Sequence, residues 1–156
     1  MIGEIENLSE FKELRGINAS NNQFTSLNGV FTLPNKNRVK NLNFFGNKIS
    51  EIDLAKLFTE FPQLEKLNLD YNPISVKNLE SLTAEHFSRL VEGMKDKKIK
   101  FSSHQGTILA DLLKYTQYLV KNGDNSQRQQ AYQLQTILQS SPVNSEKEPQ
   151  KTNYAP

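Results

Sequence analysis

The sequence predicts an α/β repeat fold in which short parallel strands stack into one sheet, helices or turns lie behind them, and a helical hairpin closes the C-terminal end. Three observations carry this. The segments LRGINASNNQF from Leu14, VKNLNFFGNKI from Val39 and LEKLNLDYNPI from Leu64 share one pattern of apolar residues and asparagines at 25-residue intervals (positions 14, 39 and 64). A fixed period of this size marks a repeat architecture. The stretches between the copies have helical or turn spacing, and two amphipathic stripes follow the last copy.

Each copy opens with a strand. Ile17 and Ala19, Leu42 and Phe44, and Leu67 and Leu69 alternate with polar residues, which places each pair on one face of an extended segment. Ala19 is the weak member. Phe24, Ile49 and Ile74 continue the same apolar interior where the chain turns away. Just before them stand Asn22, Asn47 and Asn72. An Asn carries donors and an acceptor, so stacked Asn side chains satisfy backbone groups that lose their strand partners at a bend.

This pattern resembles the leucine-rich repeat family, whose asparagine ladder corresponds to Asn22, Asn47 and Asn72. The resemblance implies a right-handed solenoid with the strands on a concave face. Behind the second copy, Leu54, Leu57, Phe58 and Phe61 recur at helical spacing after Asp53, as in the ribonuclease-inhibitor-like branch of that family. The first copy departs from it, because Gly29 and Pro34 favour a turn or a single helical turn.

A fourth, irregular unit is expected near Asp96, with Ile99 and Phe101 as its strand pair and His104 at the ladder slot. Its extra length holds a helix through Phe87, Leu90, Val91 and Met94, started by Thr83 as N-cap with Glu85 in the first turn. The open ends of a repeat stack must be covered. Ile2, Ile5, Leu8 and Phe11 suggest a short N-terminal capping helix within residues 1–13. Ile108, Leu109, Leu112, Leu113, Tyr115, Leu119 and Val120 form one stripe of a C-terminal hairpin over 105–140, ended near Gly123. Ser126 and Gln129 have capping-box spacing for the second helix, which carries Ala131, Leu134, Ile137 and Leu138. Residues 1–140 thus read as one domain. The remaining 141–156 is a polar tail with too little apolar surface to fold alone.

Composition bounds the chemistry. The 156 residues include no Cys and two His, with a formal net charge of +2. Lack of Cys excludes disulfides, thiolate metal sites and cysteine catalysis, and favours a reducing cytosol. The first ten residues hold three acids and no apolar tract, which argues against a secretory signal. No run reaches the roughly 20 apolar residues of a membrane span. No glycine-rich phosphate loop or hydrolase motif occurs, and His86 reads as a solvated-edge residue of its helix. No catalysis, cofactor, metal or small-molecule substrate is therefore expected.

What remains is a binding surface. Residues between the buried strand positions stack into columns: Asn18, Asn43, Asn68 and Lys100; Gly16, Asn41, Lys66 and Lys98; Ser20, Phe45, Asp70 and Ser102; Asn21, Gly46, Tyr71 and Ser103. Phe45 and Tyr71 are large aromatics in a polar face, the composition of a protein-binding hot spot. The expected partner-binding set is Phe45, Tyr71, Asn18, Asn43, Asn68, Lys66, Asp70, Lys98 and Lys100. The run Lys95, Lys97, Lys98 and Lys100 offers an alternative, weak contact with nucleic acid or anionic lipid. Small Cys-free, Asn- and Lys-rich repeat proteins resemble effectors that intracellular bacteria deliver into host cells, and SEKE at 145–148 is compatible with a type IV secretion signal. An internal bacterial scaffold or regulatory subunit is the competing expectation.

Overall fold

The computed structural model describes residues 8–101 and 106–139. Expectations on Ile2, Ile5, Ser102, Ser103, His104 and the tail lie outside these residues. The chain is mixed α/β, with a four-stranded parallel sheet, a second sheet of two short parallel strands and, among the described residues, four α-helices. Strands β1 (Gly16–Asn18), β2 (Asn41–Asn43), β4 (Lys66–Asn68) and β6 (Ile99–Lys100) lie side by side in that order. Gly16, Asn41 and Lys66 are register partners, as are Ile17, Leu42 and Leu67, and Asn18, Asn43 and Asn68. The 25-residue period of the sequence is therefore the register of the sheet. In the last pair Leu67 meets Ile99 and Asn68 meets Lys100.

Burial follows the alternation. Leu42, Phe44, Leu67 and Leu69 are at most 1% exposed, with Ile99 and Phe101 also buried. Ile17 and Ala19 are only half-buried, since β1 is an edge strand and Ala19 fills little volume. Behind the sheet, β3 (Glu51–Ile52) and β5 (Ser75–Val76) pair in parallel. The outer segment of the first copy makes two 3-10 turns, Asn28–Thr32 and Lys36–Arg38, on either side of Pro34. That of the second is α1 (Leu54–Glu60), capped by Asp53, whose carboxylate accepts from the Lys56 N–H at 3.0 Å. That of the third is α2 (Ala84–Lys95), begun by Thr83.

Helices α3 (Ile108–Asn122) and α4 (Asn125–Gln139) pack on each other, α3 also against β5 and α4 against α2. Here the outer strand pairing stops. The Val76 N–H donates to the Asp111 carboxylate at 3.0 Å and the Thr107 N–H to the Ile74 carbonyl at 2.8 Å, so α3 occupies the edge where another strand would pair. Gly106 permits this approach, because a Cβ there would stand 2.5 Å from the Ile74 nitrogen.

Two local expectations need correction. Residues 8–15 contain no helix: Ser9 and Glu10 form a turn, Leu8 packs against the core and Phe11 is 51% exposed. The Leu8 N–H donates instead to Thr32 Oγ1 at 2.7 Å, which fixes this segment to the first outer turn. The capping box of α4 uses Asp124 and Gln127 rather than Ser126 and Gln129. Asp124 Oδ1 accepts from the Gln127 N–H at 2.8 Å and Gln127 Oε1 from the Asp124 N–H at 2.9 Å. Asp caps as well as Ser, and Asp124 stands two residues after the end of α3.

Candidate functional site

The bends that follow the strands decide which side chains reach the outer face of the sheet. Asn72 is 1% exposed and Asn47 6%. Asn47 Oδ1 accepts from the Phe24 N–H and Asn72 Oδ1 from the Ile49 N–H, each at 3.1 Å. On the donor side, Asn47 Nδ2 reaches the Ala19 and Phe44 carbonyls (2.9 and 3.0 Å), and Asn72 Nδ2 those of Phe44 and Leu69 (2.9 and 3.1 Å). Each copy is thus tied to the one before it. Asn22, half-buried, donates to Ala19 and Ser20 carbonyls of its own bend.

Asn18, Asn43 and Asn68 occupy the central column, where they do more than face outward. Each Oδ1 accepts the N–H two residues on, at Ser20 (3.2 Å), Phe45 (3.0 Å) and Asp70 (3.0 Å), and so ends its strand in an Asx turn. These backbone donors fix the orientation of the carboxamides. Each oxygen thus accepts a backbone bond of its own turn, and among the described residues Nδ2 meets no acceptor.

A groove of about 620 Å³ runs across the four strands, lined among others by Asn18, Asn43, Asn68, Lys66, Lys98 and Lys100. Asn41 and Lys97 also line it, and no acidic or aromatic side chain does. The expected set therefore divides. Six members share the groove, while Phe45, Asp70 and Tyr71 lie beyond it, where the strands bend, and Lys95 is not part of the lining. Phe45 is half-buried and Tyr71 is 56% exposed. Their rings meet edge to face, centroids 5.2 Å apart at 64°.

The backbone under Tyr71 is unusual. Asn21, Gly46 and Tyr71 hold the same slot of successive copies, and all three have positive φ, at 59°, 70° and 61°. The bend requires a left-handed residue there. Gly adopts it freely and Asn tolerates it, whereas an ordinary side chain costs about 1–2 kcal/mol. Among the described residues, the other non-Gly residues with positive φ are Asn78 and Lys97. Lys97 follows α2, with its N–H on the Met94 carbonyl (3.1 Å) and the Lys98 N–H on that of Gly93 (2.8 Å). This is a Schellman ending, with Lys where Gly is the usual residue.

His86 is not at a solvated edge but buried, 8% exposed. It completes the capping box of α2: Nδ1 accepts from the Thr83 N–H at 3.0 Å, and the Thr83 hydroxyl accepts from the His86 N–H at 3.2 Å. Nε2 then carries the proton and faces Thr59 Oγ1 at 3.3 Å. Burial, and secondarily the Arg89 charge, hold its pKa below the ordinary value against the opposing pull of Glu85. Arg89 was not singled out by the sequence. Its guanidinium donates to the Phe58 and Phe61 carbonyls (2.7 and 2.9 Å) and lies 4.5 Å from the Phe58 ring centroid, clamping the end of α1 to α2. An isolated Arg in an amphipathic helix carries no signal for such a role.

Among the described residues no cluster of three or more metal-ligating side chains occurs, and no helix is long and apolar enough to cross a membrane. Comparison with protein-family models, with curated proteins and with solved structures finds no match.

Proposed function

We propose that the chain is a right-handed leucine-rich repeat solenoid acting as a non-catalytic protein-interaction module, with a protein partner docking on the concave face beside Phe45 and Tyr71. The solenoid reading is supported by the 25-residue register of three strands and by Asn47 and Asn72, which bond from one copy to the next.

The functional reading rests on one observation, the left-handed backbone of an exposed tyrosine. A left-handed conformation costs an ordinary side chain about 1–2 kcal/mol, and the ring that carries it is exposed and sits edge to face on Phe45. A strained backbone under an exposed aromatic points to a functional use of that side chain. The test is partner capture with the wild-type chain followed by titration calorimetry on the Phe45→Ala, Tyr71→Ala double variant. Loss of about 2 kcal/mol per anchor corresponds to a several-hundred-fold drop in affinity, roughly. Wild-type affinity in a folded double variant would move the site elsewhere.

A second reading, contact with nucleic acid or anionic lipid, is favoured by exposed Lys97, Lys98 and Lys100 at one end of the groove. A salt-dependent mobility shift on adding DNA or RNA tests it. Delivery into a host cell rests on the tail sequence alone. Its test is translocation of a reporter fusion with and without residues 141–156.

A further inference from the structure

We propose that the groove holds an acidic, extended polypeptide segment laid across the strands, its carboxylates toward Lys66, Lys97, Lys98 and Lys100 and its other oxygens on the Asn column. The inference rests on the protein-docking reading above and specifies the chemistry of the partner.

The charged side chains that line the groove are all cations, beside carboxamides and the strand residues Ile17, Leu42 and Leu67. The four lysines are exposed, and none forms an ion pair among the described residues. Lys36, Arg38, Lys40 and Lys77 form ion pairs with Glu60, Glu13, Glu65 and Glu51, while other lysines such as Lys48 and Lys114 form none among the described residues, so it is the clustering of four cations with no acid in the lining that sets the groove apart. Asn18, Asn43 and Asn68 add a row of carboxamides whose oxygens are held by the Asx turns, leaving Nδ2 donors. Such a row suits carboxylate and peptide carbonyl oxygens, which only accept. Three strand spacings of about 4.8 Å give roughly 14 Å, the length of about four extended residues.

Lys97 supplies a second line of argument. Gly at the end of α2 would relieve its left-handed backbone, yet a cation stands there and lines the groove. Tyr71 and Lys97, the two positive-φ residues of unsuited type among those described, thus lie on or beside the same outer face. The geometry favours a peptide over a nucleic acid. A strand of nucleotides gains affinity by stacking bases on aromatic side chains, and the groove lining has none.

The test selects displayed random dodecapeptides on the intact chain, then titrates the enriched peptides against variants whose melts are followed in parallel. Asn43→Asp keeps the oxygen that accepts from Phe45 but replaces the donor with a charge. Lys97→Gly removes a cation from a position where Gly is at ease. The expectation is enrichment of Asp and Glu, a loss of about tenfold or more in affinity for Asn43→Asp and for Lys66→Gln with Lys98→Gln and Lys100→Gln, a smaller loss for Lys97→Gly, and no lowered melt. Enriched peptides without acids, insensitive to these variants but lost with Phe45→Ala and Tyr71→Ala, would overturn the acidic-segment proposal and leave protein docking standing. Peptides indifferent to both groups, or no enrichment, would remove both. An oligothymidylate that displaces the acidic peptide at lower concentration than the peptide itself would assign the groove to nucleic acid instead.

Discussion

Substituting the ladder asparagines one at a time should produce a graded loss of stability whose order follows from their hydrogen bonds. In Asn47→Ala the Ala19 carbonyl keeps its bond from Asn22 and the Phe44 carbonyl its bond from Asn72, so the stranded group is the Phe24 N–H. Phe24 is 3% exposed. A buried donor left unsatisfied costs about 1–3 kcal/mol. Asn72→Ala strands the Ile49 N–H at a residue with no exposure, and also removes the Asn72 bond to the Leu69 carbonyl. Its cost should be about 2–4 kcal/mol. Asn22→Ala breaks the bonds to the Ala19 and Ser20 carbonyls in a half-buried bend, not bonds to another copy, and should cost less than either, about 1 kcal/mol. For a chain of this size each kcal/mol lowers the melting temperature by about 2–4 °C. Urea and thermal melts of the three variants give the order directly. If Asn47→Ala and Asn72→Ala melt no lower than Asn22→Ala, the bonds between copies do not hold the stack together.

Two further outcomes follow from α2. His86 is neutral in the fold with its pKa lowered, so its contribution is fully present above the ordinary value of about 6.5 and is lost as pH falls below it. The urea midpoint should therefore drop as pH falls below about 6.5, and the drop should shrink in His86→Gln, which does not titrate. Arg89→Met keeps the apolar stem over Phe58 but abandons the Phe58, Phe61 and Leu64 carbonyls, and should cost about 2–3 kcal/mol in a urea melt. Arg89→Lys should recover little of this, since a point charge cannot span all three.

The sequence made the sheet legible because register and period are the same fact. Every buried strand residue sits in a slot that its neighbours repeat, and so Leu42 and Leu67 announce each other. What escaped were features that one residue type does not signal. The left-handed slot is filled by Asn21, Gly46 and Tyr71, and only the coincidence of Asn and Gly 25 positions apart (21 and 46) hints at a positive φ. Tyr71 then reads as a surface aromatic, and its strain becomes visible only through the backbone. Asn18, Asn43 and Asn68 read as outward-facing, but their division into a structural oxygen and a free donor depends on the turn that follows. His86 lay three residues after Thr83, the capping-box spacing, which Glu85 in the first turn obscured. The N-terminal segment failed for the opposite reason. A period of three among Ile2, Ile5, Leu8 and Phe11 suggested a helix, yet the described end of that segment is held by a tertiary bond to Thr32, which no local pattern encodes.

The most direct test of the account is Tyr71→Asn, which separates what the fold needs from what the surface does. Relief of about 1 kcal/mol of backbone strain should offset the lost edge contact with Phe45, about 0.5–1 kcal/mol. The melt should therefore stay within about 2–3 °C of wild type. Partner affinity, measured by calorimetry on the same preparation, should fall by a factor of about 30 or more. A variant that binds as wild type does, or one that melts far lower because the ring was holding the sheet, would contradict the claim that Tyr71 is kept in a strained conformation for its partner.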